Sequence, residues 1–272
     1  MGPPAASHPV SAVPLQRDAS ASAPAGGVVI PFSEEPSLAD KAPPQSCFDA
    51  CSKWLEFAIR YASDAQVAKH ARVAAWEGTD EGVKTAALEW EFEVSMHAIV
   101  ACGIAVDSLS DMLQTRVELP RLLIDKWREN RTSHYIRVGE VFGRALSLDP
   151  NSTTALHHNL SEILRFRDLA VGSTAKANAF ILHPELKTGT EWRFVYFRCD
   201  NALMIVRATF WLIRELTALG KPRDPDVQKY IDAVRSRIEA IPGGPAFRTW
   251  QGHGDAPPAD LLPGRTTQTG AF

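Results

Sequence analysis

The chain has 272 residues, 45% of them hydrophobic and 22% charged, enough to bury the core of one ordinary domain. Its 29 lysines and arginines stand against 32 aspartates and glutamates, a formal net charge of -3 that argues against nucleic-acid binding through bulk positive charge and confines any RNA contact to a local patch. Cys47, Cys51, Cys102 and Cys199 form neither a CxxC pair nor the close His/Cys spacing of a structural zinc site.

Residues 1–45 are rich in Pro, Ala, Ser and Gly, a composition that cannot offset chain entropy, so a disordered tail is expected. The helical domain is expected over 46–240. Cys47 and Cys51, four apart, would share a helix face as small buried hydrophobes. From Phe48 to Trp76, Trp54, Leu55, Ala58, Ile59, Ala62 and Ala65 recur at three- and four-residue steps and mark one buried stripe. A second helix runs from an N-cap at Thr79 or Asp80 to Leu113; it is apolar on nearly every side in its middle, as a central helix of a bundle is. Its most apolar run, Ala98 to Val106, is too short for a membrane span, and the N-terminus lacks a secretory pattern. The chain therefore reads as reduced, intracellular and cytoplasmic, with no membrane role.

A short piece at Leu122–Trp127 follows Pro120, and a helix from Thr132 to Leu148 is stopped by Asp149-Pro150. The next helix takes Ser152 or Thr153 as its cap and carries Leu156, Leu160, Ile163 and Leu164 as its stripe. Beyond "HPELKTGTE", Glu191 to Leu219 places Leu203, Val206, Phe210, Ile213 and Leu216 near heptad spacing, with "RFVYF" as its first turn. Gly220, Pro222 and Pro225 end it and separate a last helix, Asp226–Ile238. No convincing strand is visible. A second Gly/Pro-rich disordered tail is expected over 241–272, with Phe247 and Trp250 as candidates for docking on the domain. The expected fold is all-α, an antiparallel bundle of five or six helices between two disordered tails.

Few constellations carry chemistry. Glu89, Glu91, Glu93 and His97 fall short of a di-metal carboxylate set and read as a solvated acidic edge beside one packed histidine. No nucleophile elbow is present, and no glycine-rich phosphate loop lies outside the first tail, so no cofactor is implied. The run "KWRENRTSHYIRVGEVFGR" holds Lys126, Arg128, Arg131, Arg137 and Arg144 against Glu129 and Glu140. A basic stripe on one helix would track a phosphate backbone, with Trp127 and Tyr135 for base stacking; an ordinary charged solvent face fits the same residues.

"RDLAVG" at Arg167–Gly172, followed by "ILHPEL" and "EWRFVYFRCDNA", resembles the HEPN superfamily, whose members carry R-x(4 to 6)-H near a helix end. The resemblance spans roughly Gly82 to Leu219 and rests mainly on Arg167 to Ala202. Arg167 matches the motif arginine and Asp168 its polar neighbour, while Gly172 stands where the histidine would be. It implies a helical bundle that forms a homodimer, with two motifs meeting in a cleft where RNA is cut without a metal. There the 2′-hydroxyl attacks its own phosphate, a base removes the proton, and arginine faces the phosphorane.

Three readings follow. One is a degenerate module, with Arg167 and Asp168 lining the dimer cleft, that binds RNA, a nucleotide or a protein partner such as a cognate antitoxin or phage-defence component. The second is an active ribonuclease in which His183, folded back from its loop, or His134, separated from Arg128 by five residues in a second loose match, replaces the missing group. The third is a structural interaction module with no nucleic-acid role. On residues alone, Arg167-Asp168 is an ordinary solvated helix end, and His157 and His158 belong to a polar helix face.

Overall fold

The computed structural model describes residues 49–172 and 180–244. The expected tail over 1–45, Cys47, Phe247 and Trp250 lie outside these residues. Ile241 to Gly244 do not: Ile241 is buried and Gly244 approaches Phe210, so the packed domain continues past 240.

The architecture is all-α. Among the described residues eight helices occur, more than the five or six expected, because two are short. They are α1 (Ala50–Trp76), α2 (Glu81–Gln114), α3 (Arg121–Glu129), α4 (His134–Leu146), α5 (Pro150–Val171), α6 (Trp192–Tyr196), α7 (Cys199–Leu219) and α8 (Pro225–Glu239). Helices α1 and α2 make the most extensive pairing, and α2 also touches α4, α5, α6 and α7. Small residues permit that centrality: Ala58, Ala62 and Ala65 on α1 and Ala98, Ala101 and Ala105 on α2 are all buried, which lets backbones approach closely. By length and composition α2 could cross a membrane, contrary to the sequence expectation, but half of its apolar stretch is buried inside the bundle.

Helix ends follow local chemistry. Asp80, not Thr79, caps α2, its carboxylate accepting from the Gly82 and Val83 amides. Ser147, at φ 52°, closes α4 in the left-handed region. Pro150 is the first residue of α5, so the helix begins ahead of Ser152 and Thr153, and Thr153 donates its hydroxyl back to the Asp149 carbonyl. Pro225 likewise lies inside α8, behind an Asp224 cap that accepts from the Asp226 amide.

The segment expected as one helix from Glu191 to Leu219 is divided. "RFVYF" is helical as expected, but in its own five-residue helix, α6, and Phe197 and Arg198 break away from helical geometry. Asn201 donates its side-chain amide to the Val195 and Tyr196 carbonyls, and Glu91 accepts from the Cys199 amide at 3.0 Å, so both sides of the break are satisfied. Ahead of it lies an unanticipated hairpin: β1 (Phe180–Leu182) pairs antiparallel with β2 (Gly189–Glu191), Ile181 opposite Thr190. Three-residue strands are too short to show a period of two in sequence.

Candidate functional site

Arg167 on α5, His134 at the start of α4 and Asp107 on α2 meet at one place. Asp107 Oδ1 is 2.8 Å from His134 Nε2, and Asp107 Oδ2 accepts from Arg167 Nη1. Arg167 Nε donates to Asp168 Oδ1 at 2.7 Å, so these neighbours are a pair after all, and the arginine side chain is 17% exposed. Burial alone would raise the Asp107 carboxyl; the hydrogen bond from His134 and the charges of Arg167 and His134 outweigh it and hold the carboxyl below its ordinary value. An ionised Asp107 favours a proton on His134 Nε2, so in the neutral ring the lone pair falls on Nδ1, the arrangement by which a carboxylate orients a histidine base.

Asp107 was missed in the sequence, where it served only to end an apolar run. The available signal was a carboxylate directly after the most apolar run of the helix, Ala98 to Val106.

Gly103, one turn before Asp107, makes room for the arginine. A Cβ there would stand 2.7 Å from Arg167 Cβ and 2.5 Å from Cγ, atoms too near the backbone to swing aside. Gly103→Ala is therefore expected to cost about 1–3 kcal/mol by overpacking and to displace the guanidinium; an unchanged denaturant midpoint would contradict this contact. Gly172 ends α5, and a Cβ there would lie 2.7 Å from the Asp168 carbonyl oxygen, so a histidine at the motif position must shift the helix end.

His134 also lines a cleft of about 450 Å³ between α2, α3 and α4. Ile124, Trp127 and Arg128 contribute from α3, Arg137 from α4 and Gln114 from α2. Arg137, Lys126 and Arg131 form no ion pair among the described residues, and Arg128 has only a 3.6 Å contact with Asp125. Arg144 is paired with Glu140. The basic run is thus not a stripe on one helix: it spans α3, the turn at Arg131 and α4, and of its members Arg128 and Arg137 reach the cleft while exposed Lys126 and Arg131 do not line it. Tyr135 turns away from it to meet the His157 ring edge-on.

His183 does not join Arg167. It is fully buried in the β1–β2 turn, where Nδ1 accepts from the Glu185 and Leu186 amides. That turn is clamped to the bundle by Glu185, which accepts from Arg72 at 2.5 Å and lies 3.4 Å from Lys69; Lys69 also pairs with Asp200 at 2.8 Å. Glu91, expected on a solvated edge, is buried and paired with the equally buried Arg72. His97, expected to be packed, is exposed, with its ring beside that of Tyr61.

Burial, then the Arg72 charge, pushes His183 down to about 4 from 6.5. The unfolded chain takes up this proton near pH 6.5 while the folded chain resists until about pH 4, so the contribution is full above pH 6.5 and lost as pH falls through that window. It amounts to a loss on the order of 3 kcal/mol. His183→Asn keeps an acceptor for both amides and is expected to flatten the stability profile between those pH values; an equally steep profile in urea melts would contradict the assignment.

Compared with known proteins, the chain matches no family model, no curated protein and no solved structure.

Proposed function

We propose that this chain is a HEPN-like module that binds RNA or nucleotide phosphates at the α2–α3–α4 cleft and the adjoining Asp107–His134–Arg167 cluster. The observation that carries this reading is the position of His134, which belongs both to the ion-paired cluster and to a cleft whose cations, Arg128 and Arg137, are weakly paired or unpaired among the described residues. Arg167 keeps a guanidinium nitrogen, Nη2, beyond its two carboxylate bonds.

Fluorescence anisotropy with a single-stranded RNA tests it. If Lys126, Arg128, Arg131 and Arg137 each neutralise one phosphate, log K falls against log salt with a slope of about -3, a loss of roughly 50-fold between 50 and 200 mM. Replacing Arg128 and Arg137 with glutamine is expected to remove about half of that slope. Binding that ignores both salt and these arginines rejects the proposal and favours a structural interaction module.

The Asp107–His134 bond favours a second reading, metal-independent RNA cleavage with His134 in place of the missing motif histidine. Nδ1 would take the 2′-hydroxyl proton as O2′ bonds to phosphorus, the P–O5′ bond breaks to leave a 2′,3′-cyclic phosphate, water protonates the departing 5′-oxygen, and arginine donors face the phosphorane. Either reading fits a homodimer, which sedimentation would detect, and a toxin–antitoxin or phage-defence setting is the partner context in keeping with the resemblance.

A further inference from the structure

We infer that the α2–α3–α4 cleft is a nucleobase subsite, holding one unpaired nucleotide with its base against Trp127 and its phosphate on Arg128 and Arg137. This rests on the RNA reading above and names the substrate as single-stranded.

Helix α3 supplies the first argument. None of its nine residues is fully buried, and Leu122 on it is 85% exposed. Ile124 and Trp127 stay only half-buried because they border the cleft rather than a neighbouring helix. Val138 and Val141 of α4 line the same space, giving walls suited to a flat ring. The polar complement is the second argument. Gln114 and Asp111 stand on the α2 side, where an amide and an acceptor-only carboxylate meet the edge of a base that carries an amino group. Arg128 and Arg137 give a phosphate two cations. Size is the third: about 450 Å³ falls in the range of roughly 300–1,000 Å³ for small-molecule sites and is far too small to admit a duplex.

Calorimetric titration of the full chain with GMP, AMP, CMP, UMP and, as a base-free probe, ribose 5-phosphate tests the inference. The amino-bearing nucleotides are expected to bind at least ten-fold tighter than ribose 5-phosphate, with UMP the weakest of the four. Trp127→Ala is expected to weaken them roughly ten-fold or more and Trp127→Phe to restore most of the loss, since stacking needs only an aromatic face. Equal binding of ribose 5-phosphate, no nucleotide binding, or nucleotide binding indifferent to Trp127→Ala in a protein with unchanged melting would each overturn it. Mononucleotide binding without RNA-strand binding removes the RNA reading and leaves the subsite; salt-sensitive RNA binding with mononucleotides ignored removes the subsite alone.

Discussion

Replacing Glu91 with alanine is expected to lower the unfolding free energy by about 3–5 kcal/mol, the largest loss of any single substitution considered for this bundle. Arg72 and Glu91 are both almost fully buried, and Glu91 serves two partners, the Arg72 guanidinium and the Cys199 amide. Alanine leaves a buried cation with only the more exposed Glu185 and leaves the first amide of α7 without its acceptor. Two different costs therefore add, an uncompensated charge and an unsatisfied donor. Glu91→Gln separates them, because its amide oxygen can still accept from Cys199 while the charge is gone. Replacing Arg72 and Glu91 together by methionine and leucine should lose less than the sum of the single losses, since no lone charge remains. Urea unfolding of the parent, Arg72→Met, Glu91→Leu and the double variant measures this; additive losses would show that the pair is not coupled.

The second large effect concerns His134. In an RNA cleavage assay with EDTA, the catalytic reading expects His134→Ala to reduce the rate by about 10²–10⁴, the usual worth of a positioned proton-transfer group. Asp107→Asn should give a smaller drop with intact binding of RNA, because an amide no longer fixes which ring nitrogen carries the proton. His183→Ala distinguishes the two candidate histidines: it removes a buried residue of the hairpin turn, so it should lower stability while leaving the rate of the folded fraction unchanged. A rate lost in His183→Ala and kept in His134→Ala would reverse the assignment.

The long helices were legible in sequence because their apolar residues repeat at helical spacing over many turns. Leu55, Ala58, Ile59, Ala62 and Ala65 are buried as that spacing requires, and α2 is the central helix that its all-round apolar character demands. The hairpin and the α6–α7 break were not legible, since each depends on partners far away in the chain. Glu91, 108 residues before Cys199, ties the break, and Arg72, 113 residues before Glu185, holds the hairpin turn.

The candidate site divides in the same way. Arg167, Asp168 and His134 could be named from the motif resemblance and a loose spacing rule, but the residue that joins them could not. Asp107 lies 60 residues from Arg167 and 27 from His134, so only the packing of α2 against α4 and α5 brings the three together. His183 shows the converse: it is close to the motif in sequence, yet its turn is clamped to α1 by Arg72 and Lys69.

The most direct test of the phosphate-binding account is anisotropy of a labelled single-stranded RNA with the full chain in EDTA at 50 and 200 mM salt, beside Arg137→Gln and Arg167→Ala. The account predicts binding that weakens roughly 50-fold across that salt range and is reduced by both substitutions. RNA binding that is absent at low salt, or that neither substitution changes, would contradict it.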